Sequence, residues 1–357
     1  MAQPAVLAFN IGSFISTLFL LEFGADKFID HTAIVASRIG VSETVVGLLT
    51  AGAEWEELAV VVASLAQGRS SIAIGNIVGA AISNILGAFS LGLLCHAGET
   101  PIEFDRSSRV YSLLVLVLTT AVIPLICLPG RLVWTICGPV LIAVFILYFV
   151  VVAQAITRGV LQAPEDSDDS DDEDDESSVG STTGLLSGSN NGASNGHRRR
   201  SLYYHTAYLT FGFLAICLAG YVLSQAAINI TDQLGISDVL FSIVILAIAT
   251  TLPEKFIAVI SGYRGHPGIM VANCAGSNIF LLSLCCGIIM MDSKGSLDGG
   301  NVTKSELAVL WISTAAFTST VWFGARFARW IGGGMVIAYI LFIVLEFTVI
   351  HGIADTG

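Results

Sequence analysis

Residues 254–279 read EKFIAVISGYRGHPGIMVANCAGSNI, and residues 57–82 read ELAVVVASLAQGRSSIAIGNIVGAAI. The two stretches align without a gap at an offset of 197 residues. Glu57 falls on Glu254, Val62 on Val259, Ser64 on Ser261, Gly68 on Gly265, Ile72 on Ile269, Asn76 on Asn273, Gly79 on Gly276 and Ile82 on Ile279. Each copy sets a glutamate inside an apolar helix, where a lone charge costs roughly 3 kcal/mol or more unless a partner or a bound ion offsets it. Duplicated halves, each with a carboxylate midway along a span, point to a pathway for a cation.

Working outward, the composition fixes the solvent. Of the 357 residues, 54% are hydrophobic and only 12% charged, with a mean hydropathy of +0.79; a soluble domain carries about 25% charged residues. The expected class is an all-α membrane protein. A helical span needs about 20 apolar residues, and ten candidates lie at roughly 5–28, 43–66, 71–96, 110–128, 132–157, 203–228, 238–263, 267–291, 304–324 and 331–351. That gives ten transmembrane helices as two five-helix repeats, residues 1–158 and 203–357, joined by a linker at 159–202. The start Met1-Ala-Gln-Pro4 has no basic flank, so the first span reads as a retained helix. All seven cysteines lie in apolar spans and read as buried small hydrophobes.

Basic residues set the expected orientation. With the linker in the cytosol, loops on that side hold Arg38, Arg106, Arg109, Arg158, Arg198, Arg199, Arg200, Arg264, Arg326 and Arg329; the opposite side has Arg69, Arg131, Lys294 and Lys304. Both termini are then non-cytosolic, and the repeats are inverted in topology because an odd number of spans separates equivalent points. The sequon Asn301-Val-Thr303 falls on the non-cytosolic side. The linker is rich in Ser, Gly, Asn and Asp, with ten acids from Glu165 to Glu176. It reads as disordered. Those acids account for most of the net charge, since −12 + 10 leaves −2 for the rest of the chain. The run lacks an EF-hand-like pattern, so a solvated linker is the default and a regulatory role the alternative.

The first copy approaches its glutamate as Thr50-Ala-Gly-Ala-Glu54-Trp-Glu56-Glu57 and the second as Ala249-Thr-Thr-Leu-Pro253-Glu254. Pro253 removes a backbone N–H and kinks the helix, freeing carbonyls that can face a cavity. Small residues at Gly75, Gly79, Ala80, Ala81, Ala272, Ala275, Gly276 and Ser277 allow close helix contact. Two facing carboxylates repel unless one takes a proton or a cation joins them. Ca²⁺ accepts six to eight oxygen ligands, so Glu57 and Glu254 are expected as shared ligands, with oxygens nearby from Thr50, Thr250, Thr251, Asn76, Asn84, Asn273 and Asn278. Pairing with buried bases is the competing reading. Its one candidate, Lys255, follows Glu254 directly and is expected on another helix face.

At these residues the chain resembles the Ca²⁺:cation antiporter superfamily, the Na⁺/Ca²⁺ exchangers. Its repeats read approximately G-T-S-x-P-E, an apolar stretch, then G-N-x-x-G-S-N-I-F-[ND]. The second copy here has Ala249-Thr-Thr-Leu-Pro-Glu254 and Ala272-Asn-Cys-Ala-Gly-Ser-Asn-Ile-Phe280; the first has Gly75-Asn-Ile-Val-Gly79-Ala-Ala-Ile-Ser-Asn84. The resemblance covers both halves, and Gly24-Ala-Asp26 through Gly40-Val-Ser42 is similar to the family's first helix. It implies a ten-helix antiporter in which Glu57 and Glu254 coordinate Ca²⁺, with Thr250, Thr251, Asn84 and nearby carbonyls serving Ca²⁺ or the counter-ion. Ser277 belongs to the same candidate set.

The departures carry information too. Ala53 and Glu54 stand where the motif has Thr and Ser, Glu56 stands for its Pro, and Leu281 for its last Asn or Asp. Glu54, three residues before Glu57, is expected on the same face as a third carboxylate, and Glu56 is expected to point elsewhere. Clustered acids and few hydroxyls make H⁺ a rival to Na⁺ as the exchanged ion. Glu22, Asp26 and His31 read as groups near the cytosolic end of the first helix, Glu346 and His351 as outer-end groups, His96 as a span-end residue, and Trp134, Trp311, Trp322 and Trp330 as interface belts.

The expected function is Ca²⁺ export in exchange for Na⁺ or H⁺ by alternating access, in a vacuolar, Golgi-like or plasma membrane, with no cofactor and no nucleic-acid partner. No G-x-x-x-x-G-K-[ST] motif occurs, which argues against a nucleotide-driven pump. A cation channel and a transport-inactive Ca²⁺ sensor are the alternatives. A channel would gather several subunits about one axis, which two repeats in one chain disfavour; a sensor would need the linker but not Glu57.

Overall fold

The structure, a computed structural model, describes residues 4–38, 54–96, 101–128, 130–158, 202–297 and 300–350. These are helical nearly throughout. In chain order the helices are α1 (Pro4–Arg38), α2 (Trp55–Ala66), α3 (Ser70–Leu94), α4 (Arg106–Cys127), α5 (Arg131–Thr157), α6 (Leu202–Leu234), α7 (Asp238–Thr250), α8 (Leu252–Arg264), α9 (Pro267–Ser293), α10 (Lys304–Phe323) and α11 (Ala328–Ile350). Among the described residues, eight helices are long and apolar enough to cross a membrane, and nine if the bent pair α7–α8 is one span. The chain is a multi-pass integral membrane protein. The expected second span, 43–66, falls partly on residues outside those described, as does nearly all of the linker 159–202.

Local chemistry explains the breaks. Pro253 sits in the first turn of α8, where its missing N–H has no intrahelical acceptor, and α7 and α8 meet at 49° around Thr251. This is the expected kink. Pro267 opens α9 in the same way. Asp105 caps α4 by accepting from the Ser107 and Ser108 amides, and Thr303 and Glu306 form a capping box at α10.

The duplication reappears in the backbone. The α-helical part of α3, Ser70–Ile82, and that of α9, Pro267–Ile279, have bounds 197 residues apart. Each then passes into a π-helical segment at the same register, Ser83–Phe89 and Phe280–Cys285. A π segment widens the helix and is frequent at functional sites. These two helices are the most enclosed spans of the molecule. Helix α3 packs on α7 through Gly79, where any Cβ would run into the Ile243 backbone. Around them lie α2 and α8; α1 pairs lengthwise with α6, and α4, α5, α10 and α11 form the other flank. Among the described residues there are two apolar cores. One joins α3, α9 and the flank; the smaller ties α1 and α6 to Val60, Ile72, Phe241 and Leu246.

All cysteines are free. Cys274, Cys285 and Cys286 are buried as expected, whereas Cys95, Cys127 and Cys137 are partly exposed and Cys217 is exposed. Trp311, Trp322 and Trp330 are exposed, but Trp134 is fully buried, its Nε1 donating to the Leu125 carbonyl at 2.8 Å. A ring with a satisfied N–H packs inside as well as at an interface. His96 lies just past α3, its carbonyl accepting from Arg329 Nε at 3.0 Å.

Candidate functional site

Glu54 is not helical. It precedes α2 with φ −77° and ψ 73°, so Trp55 is the first residue of the helix. As the residue that caps α2, Glu54 still lies within electrostatic reach of Glu57, as expected of a third carboxylate, and it also reaches Glu56. Carboxylate oxygens of Glu54, Glu56 and Glu254 all lie within 4.8 Å of one another. Glu57, one residue further on, is completely buried within electrostatic reach of Glu54, Glu254 and Glu56. Glu56 thus joins the cluster, against the expectation that it points elsewhere. The cluster also has a tail, since the half-buried Glu22 carboxyl of α1 meets that of Glu56. Glu22 was expected at the interface; burial of the α1 face against α2 brings it in.

Neither Glu57 oxygen, nor Glu254 Oε2, completes a hydrogen bond. The same is true of buried Asn76, of Asn84 Oδ1, and of the hydroxyls of Thr250 and Ser277. Asn273 is only half-buried. Thr50 lies outside the described residues. Asn84 and Asn278 meet directly, Asn84 Nδ2 donating to Asn278 Oδ1 at 3.4 Å, while Asn278 Nδ2 donates to the Ala81 carbonyl at 3.3 Å.

Thr251 is differently placed from the other candidates. Its Oγ1 is 2.5 Å from the Ala247 carbonyl, 2.8 Å from Ser83 Oγ and 2.5 Å from Lys255 Nζ. Lys255 does not point away: its ammonium curls back over the kink to Thr251 and Ser83. It forms no ion pair within 4 Å among the described residues, so it is not the paired base of the competing reading.

Further polar contacts lie off the centre. His31 is buried on α1, its Nδ1 3.1 Å from His205 Nδ1 on α6. Glu346 is fully buried beside Glu306, while His351 lies outside the described residues. Arg69, which the sequence shows only as a loop base, joins the α2–α3 turn to Asp232 of α6 at 2.8 Å and Asp238 of α7 at 2.9 Å. Only the 69 and 232–238 turns being on one side of the membrane could have signalled it.

The model of the sodium/calcium exchanger protein family matches residues 9–154 and 204–348, both halves of the chain. The chain belongs to that family. It is 24% identical over 348 residues to the sodium/calcium exchanger MaX1 of Methanosarcina acetivorans, covering 92% of this chain and 96% of that one. Among solved structures, it resembles the sodium-calcium exchanger NCX_Mj soaked with Na⁺ and Sr²⁺ (TM-score 0.56, 21% identity, 95% and 99% of the chains) and native YfkE (TM-score 0.62, 15% identity, 97% and 92%). At these identities the structural likeness concerns the fold. The family is one of membrane antiporters, with Na⁺ and Ca²⁺ as its substrates.

Proposed function

We propose that this family member moves Ca²⁺ across a membrane in exchange for Na⁺ or H⁺, by alternating access to a site between its two halves. The observation that carries the reading is the carboxylate cluster with its unpartnered buried oxygens. A buried polar atom left unpaired costs about 1–3 kcal/mol, and more if charged. A set of them beside clustered glutamates is paired when a hard cation enters, and Ca²⁺ takes six to eight oxygens at flexible geometry. In this reading Glu57, Glu254, Glu54 and Glu56 supply the charge. Asn76, Asn84, Thr250 and Ser277 supply neutral oxygens, and Asn278 holds Asn84.

Ten spans in two inverted repeats are part of the proposal, with the termini non-cytosolic, the linker cytosolic, and an endomembrane or the plasma membrane as host. Support for two-fold related halves comes from the matched helix bounds and π segments. Support for alternating access comes from the two separate apolar cores, which let α1 and α6 shift as a pair against the rest while the site stays put.

The test is ⁴⁵Ca²⁺ uptake into proteoliposomes under an outward Na⁺ or an outward H⁺ gradient. Uptake driven by one gradient and lost in Glu254→Gln is expected. Uptake indifferent to both gradients would sink the antiport reading and favour a channel.

A further inference from the structure

Lys255 follows Glu254 in sequence, yet its side chain crosses the α7–α8 kink and ends among oxygens. Its Nζ is 2.9 Å from Ser83 Oγ, 2.9 Å from the Thr251 carbonyl and 2.5 Å from Thr251 Oγ1. An ammonium has three protons to donate, and here each has an acceptor. Two of the three acceptors are on Thr251 at the α7–α8 break and one is on Ser83 of α3, both fully buried, so this is an interior contact and not a chance surface one. Two hydroxyls and a carbonyl at the kink are also the donor set a small monovalent cation takes. The contact exists because Ser83 stands at the register held by Phe280 in the second copy. A phenyl ring there would fill the space. The stem of Lys255 instead packs beside Gly87, whose missing side chain leaves room for Cε. The ammonium lies within electrostatic reach of Glu254, Glu57 and Glu54.

We infer that the Lys255 ammonium is a tethered cation occupying one counter-ion position of this exchanger, so that one fewer monovalent ion moves per Ca²⁺ than the same site would carry without it. The inference rests on the antiport reading above. A fixed positive charge beside the carboxylates offsets part of their repulsion in every state of the cycle. A mobile ion would do so only while bound, and would then be released and counted in the exchange.

The measurement is the counter-ion gradient at which net ⁴⁵Ca²⁺ flux vanishes in proteoliposomes held at zero membrane potential with a fixed Ca²⁺ gradient, which yields the number of counter-ions per Ca²⁺. Lys255→Gln, which keeps donors for Ser83 and Thr251 but removes the charge, is expected to raise that number by one; Lys255→Arg is expected to leave it at the wild-type value. Coupled flux in Lys255→Gln at the wild-type number would overturn the inference alone. Absence of coupled flux in the wild-type protein would overturn the antiport reading and this inference with it. If Lys255→Gln folds but does not transport, Ca²⁺ binding to the detergent-solubilised protein is titrated against the counter-ion. By linkage, the slope of log Kd against log counter-ion concentration counts the ions displaced. A slope one unit steeper than wild type supports the inference and an equal slope overturns it; Lys255→Met is measured the same way should Lys255→Gln fail to fold.

Discussion

Asn278 donates from Nδ2 to the carbonyl of Ala81, the residue that holds its own place in the other copy of the repeat. Two equivalent positions can touch only near the axis relating the copies, so this contact marks where the halves meet. The asparagines are also divided between the copies. Asn278 has Ala81 as its counterpart, and Asn84 has Leu281, yet the two amides bond across the interface. One hydrogen-bonded pair thus does the work that a fully repeated motif would assign to four residues.

Asn278→Ala strips the acceptor from Asn84 and the donor from Ala81 in a fully buried setting. The expected loss is about 1–2 kcal/mol, at the upper end of what interhelical hydrogen bonds contribute in membranes. It is read as a lowered melting temperature of the purified protein, together with reduced Ca²⁺ uptake. Asn84→Leu, which copies the second repeat at this register, should be equally damaging; an unchanged melting temperature in both would show that the pair contributes nothing.

Glu56→Gln tests the correction the structure makes to helix-face reasoning. If the four carboxylates share one cation, removing the charge of Glu56 weakens Ca²⁺ binding by about tenfold, equivalent to about 1.4 kcal/mol. Glu54→Gln should act similarly. Isothermal titration with Ca²⁺ separates these from Glu254→Gln, which is expected to abolish binding; wild-type affinity in Glu56→Gln would remove it from the site.

The repeat was legible because an offset of 197 residues preserves both glutamates and the glycines that let helices approach. The Pro253 kink was legible because a missing N–H has one consequence in a helix. What could not be read is where α2 begins. Glu54 lies just before the helix, where its side chain reaches Glu56 as well as Glu57, so the face rule that sends Glu56 elsewhere does not hold at this first turn. Lys255 was misplaced for a related reason. Its Cβ does point off the face of Glu254, but a four-carbon stem can reverse that direction and bring the ammonium home to the carbonyl four residues back. Trp134 was assigned by propensity alone, which is silent about a partner such as the Leu125 carbonyl.

Arg69 clasps the α2–α3 turn to the start of α7. Asp232 is largely exposed, and its share of the pairing is worth less than about 1 kcal/mol. Asp238 is only 5% exposed and also accepts from Ser71 at 3.1 Å and Thr231 at 2.8 Å. Arg69→Met leaves that buried carboxylate short of its cation and should cost about 1–3 kcal/mol. Asp232→Asn should cost little. Thermal melts of the two variants check the order, and a larger loss in Asp232→Asn would contradict it.

Asp105 gives a pH-dependent test outside the spans. Partial burial pushes its carboxyl upward, but hydrogen bonds from Ser108 and Ser107 more than offset this and hold it below the usual Asp value of 3.8. A carboxylate lowered on folding stabilises the protein above its unfolded pKa, and that contribution is lost as pH falls through the lowered folded value. Asp105→Ala is therefore expected to cost about 1 kcal/mol at neutral pH, the usual worth of a helix N-cap. The difference from wild type should shrink as the pH is taken below 3.8. Asp105→Asn keeps an acceptor for both amides without a titrating group, so its stability should lie close to wild type at neutral pH and lack this acid-side decline. Melting curves of the three proteins over that range decide it; a gap between Asp105→Ala and wild type that persists undiminished in acid would mean that the ionised cap is not what holds the start of α4.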